Sequence, residues 1–270
     1  MYWKKRFGQH FLIDESIVME ILKFANLSEN ETVVEIGPGN GILTSKLADI
    51  AKRVIAIEID KRLFRFLKER LSSYNNISII NGDALYYTYG EIPERFKVVS
   101  NLPYNIATPM IIKLIEQRER IIDMIFMFQR EVADRIVAKP GTKDYGALSI
   151  TVQYRADAYK LLNVSRGSFK PVPKVDSSVI RITPRKDPLI EVIDEELFFS
   201  IIKAAFSHRR KTIRNNFKTM NLSDEFLEKI FNETGIKPSR RGETLSMLEF
   251  ADISNTITNL KERSINHSDR

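Results

Sequence analysis

Several short stretches of this sequence carry residue types that could do chemistry together. Glu35-Ile36-Gly37-Pro38-Gly39-Asn40-Gly41 closes an apolar run and places glycines at alternate positions. Such spacing permits a tight turn and lets a ligand approach the backbone. The dinucleotide fingerprint would put a further glycine at position 42, where this chain has Ile42. Glu58 closes the next apolar run, and a carboxylate there can accept hydrogen bonds from both hydroxyls of a ribose. Asp83, within Asn81-Gly82-Asp83-Ala84-Leu85, follows a third run and is placed to meet an adenine amino group. Taken singly, each acid reads better as a surface or capping carboxylate than as a ligand contact. Three consecutive strand ends carrying the expected polar group make coincidence a poor account. The ligand expected is one with ribose and adenine but no pyrophosphate.

A fourth run ends in Asn101-Leu102-Pro103-Tyr104. The exocyclic amine of adenine is a poor nucleophile, because its lone pair is delocalised into the ring. An amide oxygen from Asn101 and a backbone carbonyl of the Leu102-Pro103 segment could each accept one of its N–H groups. That would aim the nitrogen at an electrophile by positioning alone. Pro103 would stiffen the turn, and Tyr104 could stack on a base taken out of a helix. Phe169, in Phe169-Lys170-Pro171-Val172-Pro173-Lys174, is a second stacking candidate, with a core or loop-anchoring role as its alternative. By itself Asn-Leu-Pro-Tyr also suits an ordinary strand-to-turn junction; coming after the three acids, it takes the chemical reading. The three histidines offer no obvious general base, and a chain without cysteine has neither a thiolate nucleophile nor a thiolate metal site.

Positioning these groups requires strands that end side by side. Apolar spacing predicts a helix over 15–25, a strand over 32–36, a helix over 43–50, a strand over 53–59 and a charged amphipathic helix over 61–71. Strands are expected at 77–80, 98–100 and 124–128, with Thr108-Pro109 as N-cap and first residue of a helix to about 115. Such alternation argues for a doubly wound, Rossmann-like α/β domain with a parallel sheet. Residues 149–155 and 177–183 read as a late pair of strands. A boundary near Pro184-Arg185-Lys186-Asp187-Pro188 divides a catalytic domain, 1–186, from a small all-helical domain, 187–270. Helices are expected there at 194–207, 211–218, 223–233 and 244–260, with a polar tail from 264.

The chain has 270 residues, 43% of them hydrophobic, with no apolar run near the ~20 residues needed to cross a bilayer. Its basic start is not followed by an apolar stretch, so it does not read as a secretory signal, and a cytoplasmic location is the expectation. Net charge is +7, from 42 Lys+Arg against 35 Asp+Glu. Between Lys203 and Lys218 the charged residues are all basic, including Arg209, Arg210, Lys211 and Arg214. A solvated helix face would explain that run alone. Further clusters at Lys4, Lys5, Arg6 and at Arg240, Arg241 add weight to a phosphate-binding surface.

From about Lys5 to Phe250 the sequence resembles the KsgA-type ribosomal RNA small-subunit adenine dimethyltransferases. The shared blocks are Arg6-Phe7-Gly8-Gln9-His10-Phe11-Leu12, the glycine turn, Glu58, Gly82-Asp83-Ala84, Asn101-Leu102-Pro103-Tyr104 and Gln129-Arg130-Glu131-Val132. They continue with Tyr145-Gly146, the proline loop through Val175-Asp176-Ser177, and Ala205-Phe206-Ser207-His208-Arg209-Arg210-Lys211-Thr212-Ile213-Arg214-Asn215. The last two blocks are the most specific. The resemblance implies S-adenosylmethionine as cofactor and two methyl transfers onto each of two adjacent adenosines in a hairpin near the 3′ end of small-subunit rRNA. It implies a late step in assembly of the immature small subunit. It also implies a cofactor pocket of His10, Leu12, Gly37, Glu58, Asp83 and Asn101, to which Glu35, Gly39, Gly41 and Ala84 are added from the same motifs. Family members often carry Asn where this chain has His10; a backbone contact would survive that change. The helical domain would dock on rRNA through the basic run, and a monomer is expected. The alternatives are an Erm-like large-subunit rRNA methyltransferase, which lacks the Phe-x-Pro-x-Pro-Lys-Val-Asp-Ser block, and an assembly or RNA-binding factor with incidental catalysis. A DNA adenine methyltransferase would need a DNA-reading element that is not found.

Overall fold

The computed structural model describes residues 10–103 and 106–268, with side chains to residue 263. The chain forms two compact units, Met1–Asp134 with Arg155–Lys186, and Arg135–Tyr154 with Asp187–Arg270.

The first unit alternates strand and helix: β1 (Phe11–Leu12), α1 (Glu15–Ala25), β2 (Thr32–Ile36), α2 (Ile42–Ala48), β3 (Arg53–Glu58), α3 (Lys61–Arg70), β4 (Ile77–Asn81), β5 (Phe96–Asn101), α4 (Ala107–Glu116) and β6 (Ile121–Gln129). Its last strands are β7 (Ala156–Val164), β8 (Phe169–Lys170) and β9 (Ser177–Pro184), and α5 (Arg130–Val137) leaves it. Seven strands form one sheet in the order β4-β3-β2-β5-β6-β9-β7. The first five are parallel, and β9 and β7 run antiparallel to their neighbours. Every residue of β2 is buried, as expected for a parallel strand covered on both faces. The chain winds outward through β3 and β4, then returns to the other side of β2 as β5. That reversal opens a crevice beyond the carboxyl ends of β2 and β5, where open α/β sheets bind ligands. The β2–β5 ladder ends at Val34↔Val98, short of the end of either strand.

Local chemistry sets the helix starts. Asp14 accepts the Ser16 N–H at 3.1 Å to open α1, and Asp60 accepts the Arg62 N–H at 2.8 Å to open α3. The helix α4 begins at Ala107, so Thr108 and Pro109 lie inside its first turn rather than at cap and first position. The first-turn N–H groups lack intrahelical acceptors, so proline costs nothing there.

The second unit holds α6 (Ala147–Arg155), apart from its last residue, with α7 (Glu195–Ala205), α8 (Ile213–Phe217), α9 (Asp224–Thr234) and α10 (Met247–Ser268). Its core joins Tyr145, Ile150 and Tyr154 to Phe198, Ile202, Phe217, Phe231 and Phe250. Residues 149–155, expected as a strand, are therefore helical. Ile150, Thr151 and Val152 are β-branched, and packing overrides their strand preference. The Ser149 hydroxyl takes the Gly146 N–H, and Gln153 Nε2 donates to the Ile136 and Ala138 carbonyls at 2.8 and 2.9 Å. Residues 149–154 also fall in the helical unit, where the division drawn from sequence had placed them in 1–186. The helix expected at 211–218 is the shorter α8, capped by Thr212. The last helix starts three residues after 244, where Ser246 and Glu249 bond each other's backbone N–H in a capping box.

Candidate active site

The carboxyl ends of β2, β3, β4 and β5 surround a cavity of about 240 Å³. Its walls include His10, Leu12, Glu35, Gly37, Gly39, Glu58, Asp83, Ala84, Asn101, Leu102 and Pro103, so motifs far apart in sequence meet in one space.

The glycine turn is shaped by close approach. Gly37 and Gly39 hold φ of +67° and +60°, which side-chain-bearing residues rarely adopt. A Cβ on Gly37 would stand 3.2 Å from the Pro103 ring, and one on Gly39 would stand 3.0 Å from the Phe11 ring. Gly41 is not in the cavity wall. It precedes α2 at φ +79°, where a Cβ would come within 2.8 Å of Leu67, so its requirement is packing rather than ligand contact.

Beside the turn, Glu35 and Glu58 are each only 2% exposed. Burial pushes the Glu35 carboxyl up to about 8; the Thr44 hydroxyl offsets part of that rise and the neighbouring Glu58 adds to it. The Thr44 pair lacks hydrogen-bond geometry, and both Glu35 Oε2 and the Thr44 hydroxyl are buried without a partner among the described residues. Such orphaned groups are costly unless something completes them. Burial raises Glu58 as well, against the pull of the Asp60 N–H at 2.8 Å and the Gly39 and Ile59 backbone. Asn81 Nδ2 and the Gly82 N–H both donate to the Glu58 carbonyl, at 2.8 and 3.1 Å, which holds the start of the β4 loop against the end of β3. Asp83 Oδ1 accepts the Leu85 N–H at 2.9 Å, fixing its side chain at the cavity wall.

The opposite wall is the end of β5. Asn101 is its last residue, and the Leu102 N–H donates to the Met127 carbonyl at 3.1 Å. The Pro103 carbonyl accepts the Ile106 N–H at 3.2 Å. Tyr104 lies outside the described residues. Phe169 does not reach the cavity: it is 1% exposed, pairs with Leu12 in the β1–β8 ribbon and packs in the core, so its stacking role gives way to the anchoring one. That ribbon places His10 on the wall with Nδ1 at 2.7 Å from the Pro171 carbonyl. Asn40 Nδ2 reaches the Leu12 carbonyl at 3.4 Å.

Sequence reasoning missed Ile59 and Ile106, two apolar wall residues. Ile59 directly follows Glu58 and is 50% exposed in the structure, whereas the sequence reads it only as the last residue of the strand over 53–59. For Ile106 there was no signal.

In the helical unit Arg209, Arg210 and Lys211 are exposed on the loop between α7 and α8, with the Arg209 guanidinium donating to the Lys143 carbonyl. Arg214 differs from the sequence expectation. It is bonded to Glu228 and stands 3.3 Å from Asp224, so its charge is already met. Lys4, Lys5 and Arg6 lie outside the described residues.

Comparison with known proteins follows the same lines. The family described as ribosomal RNA adenine dimethylase matches residues 2–259. Proteins named ribosomal RNA small subunit methyltransferase A are 49% identical in a Geobacillus species and 47% identical in Bacillus cytotoxicus, each match spanning 94% of this chain and 91% of the relative. A solved dimethyladenosine transferase from Plasmodium falciparum superposes with a TM-score of 0.77 at 29% identity, over 90% of this chain and 96% of that one. The 23S rRNA methyltransferase ErmE gives 0.69 at 29% identity, over 92% and 99%.

Proposed function

Since this chain belongs to the ribosomal RNA adenine dimethylase family, we propose that it moves methyl groups from S-adenosylmethionine to the N6 amines of two adjacent adenosines in a 3′-terminal hairpin of small-subunit rRNA, on an immature subunit. The observation that carries this reading is one cavity walled by the glycine turn, Glu58 and Asp83 on one side and by Asn101-Leu102-Pro103 on the other. Bound there, S-adenosylmethionine supplies a methyl group already activated by its sulfonium.

The residues present suit that molecule. Glu58 takes the ribose hydroxyls and Asp83 the adenine amine, while the side-chain-free turn lets the backbone come close. Glu35, with its unpartnered oxygen, completes its bonding with the cofactor's cationic amine. Asn101 Oδ1 accepts one N–H of the target amine. The Pro103 carbonyl already accepts from Ile106, which leaves the Leu102 carbonyl as the acceptor for the other. Both would aim the nitrogen lone pair at the methyl; with S-adenosylhomocysteine as leaving group, the cationic nitrogen formed is acidic enough to give its proton to water, so no strong base is needed. Tyr104 stacks on the extruded base. Arg209, Arg210 and Lys211 bind rRNA phosphates as a sequence-independent dock.

The small subunit is favoured over the large because relatives at 47–49% identity carry the small-subunit name, whereas the 23S enzyme stands at 29%. The test offers purified protein and labelled S-adenosylmethionine to unmethylated small subunits and, separately, to large-subunit rRNA. N6,N6-dimethyladenosine only on the small subunit supports the proposal. Product on large-subunit rRNA moves the target to the Erm-like one, and tight binding without product favours an assembly factor.

A further inference from the structure

Ser100 is buried directly before Asn101, and no step above uses it. The backbone ladder between β2 and β5 runs Thr32↔Phe96, Val33↔Lys97, Val34↔Val98 and then stops. Continued two residues further, the same register sets Ser100 opposite Ile36. At that point the two strands are joined by a side chain: Ser100 Oγ donates to the Ile36 carbonyl at 2.5 Å. The bond falls at the switch point where the strands part to form the cavity. On one side the next residue is Gly37, the start of the turn; on the other it is Asn101. Two residues after Asn101, the Pro103 ring occupies the space over Gly37.

We propose that Ser100 is a positioning residue for methyl transfer, a hydroxyl clasp that sets the spacing between the cofactor turn and the Asn101 amide where the β2–β5 ladder has ended. A parallel ladder cannot continue into the crevice without closing it. Each wall stays tied to its outer neighbour, Asn101 to Met127 of β6 and the Gly37 N–H to the Ile57 carbonyl of β3, but without a link across β2 and β5 nothing would fix the distance between the two walls. A short side-chain bond resolves the conflict, since it spans the splay yet leaves the carboxyl ends open. Misplacement by about 1 Å can cost in-line transfer on the order of 10²-fold without touching either ligand's own contacts. Addition of the second methyl is the more exacting step, because the amine then carries a methyl group and has one N–H left to guide it. This rests on the reading of the product as dimethyladenosine.

The test compares Ser100→Ala and Ser100→Thr with wild type at a temperature well below unfolding. It measures kcat, KM for unmethylated small subunits, S-adenosylhomocysteine affinity, and the ratio of N6-methyl- to N6,N6-dimethyladenosine. Ser100→Ala is expected to lower kcat at least 10-fold and to accumulate the monomethyl product, with KM and S-adenosylhomocysteine affinity within about 3-fold of wild type. Ser100→Thr, which keeps the hydroxyl, is expected to restore most of kcat and the dimethyl product. An Ser100→Ala enzyme with kcat and product ratio near wild type overturns the proposal. So does a loss that merely tracks the fraction of unfolded protein, with the product ratio unchanged. If wild type makes only monomethyl product, the dimethylation reading fails and the ratio loses its meaning, while the kcat comparison still decides the clasp.

Discussion

The ring of Pro103 occupies the space that a side chain on Gly37 would fill, with a distance of 3.2 Å from its Cδ and Cγ to where that Cβ would stand. The two residues come from different strand ends, so the turn on the cofactor side and the turn on the target side are in direct contact. Gly37→Ala meets two obstacles, a φ of +67° and the proline ring. The backbone penalty alone is about 1–2 kcal/mol. The variant should melt roughly 2–8 °C lower and keep little activity, because relief requires Pro103 to move. Thermal melts beside activity at 25 °C check this; an unchanged enzyme would show that the turn tolerates displacement.

Glu58 is buried, and its carboxylate is the one assigned to the ribose. Replacing it with alanine removes two charge-assisted hydrogen bonds. The expected loss is at least the worth of one such bond, about 1.5–3 kcal/mol, or a roughly 10–150-fold weaker affinity for S-adenosylhomocysteine by calorimetry. Affinity within 2-fold of wild type would remove Glu58 from the cofactor site.

Glu35 makes stability depend on pH. Its folded carboxyl is pushed up to about 8 from an ordinary value of 4.5. Between those values the folded state keeps a proton that the unfolded state has lost, so this group's contribution is complete below 4.5 and falls away as pH rises through 8. Glu35→Gln cannot ionise. Its stability should fall less than that of wild type between pH 5 and pH 8, when both are measured by denaturant unfolding without ligand. Parallel curves would mean that the carboxyl ionises freely in the fold.

The exposed Arg209, Arg210 and Lys211 should dominate the salt dependence of RNA binding. Neutralising all three is expected to make the log–log salt slope shallower by about 2–3. Arg214→Ala should change that slope by much less, since Glu228 and Asp224 already meet its charge. Filter binding across a salt series separates the two; an equal effect from Arg214→Ala would place phosphate there instead.

Much of the site was legible because its chemistry sits at strand ends, and strand ends are marked by apolar runs stopping at polar or glycine residues. Val33, Val34 and Ile36 announce β2, and Glu58 and Asn101 close their strands in the structure as they do in the sequence. Less legible was whatever depends on distant partners. The stretch 147–155 carries β-branched residues but folds as a helix, with Tyr154 packed on Phe198 and Ile150 in the same core. Phe169 has the chemistry of a stacking residue, and only its pairing with Leu12 shows that it belongs to the core. Arg214 looks like its neighbours until the acids of α9 are seen beside it. Ser100 carries no signal of its own, because the gap it bridges exists only once β2 and β5 lie side by side.

Asn101 lines the cofactor pocket, yet the role proposed for its amide is to orient the amine, with little share in cofactor affinity. Single-turnover methyl transfer by Asn101→Ala, at saturating S-adenosylmethionine on unmethylated small subunits, tests it most directly. A rate lower by about 10²-fold or more, with S-adenosylhomocysteine affinity within a few-fold of wild type, is the predicted result. Transfer at near wild-type rate, or a loss of rate matched by an equal loss of cofactor affinity, would contradict it.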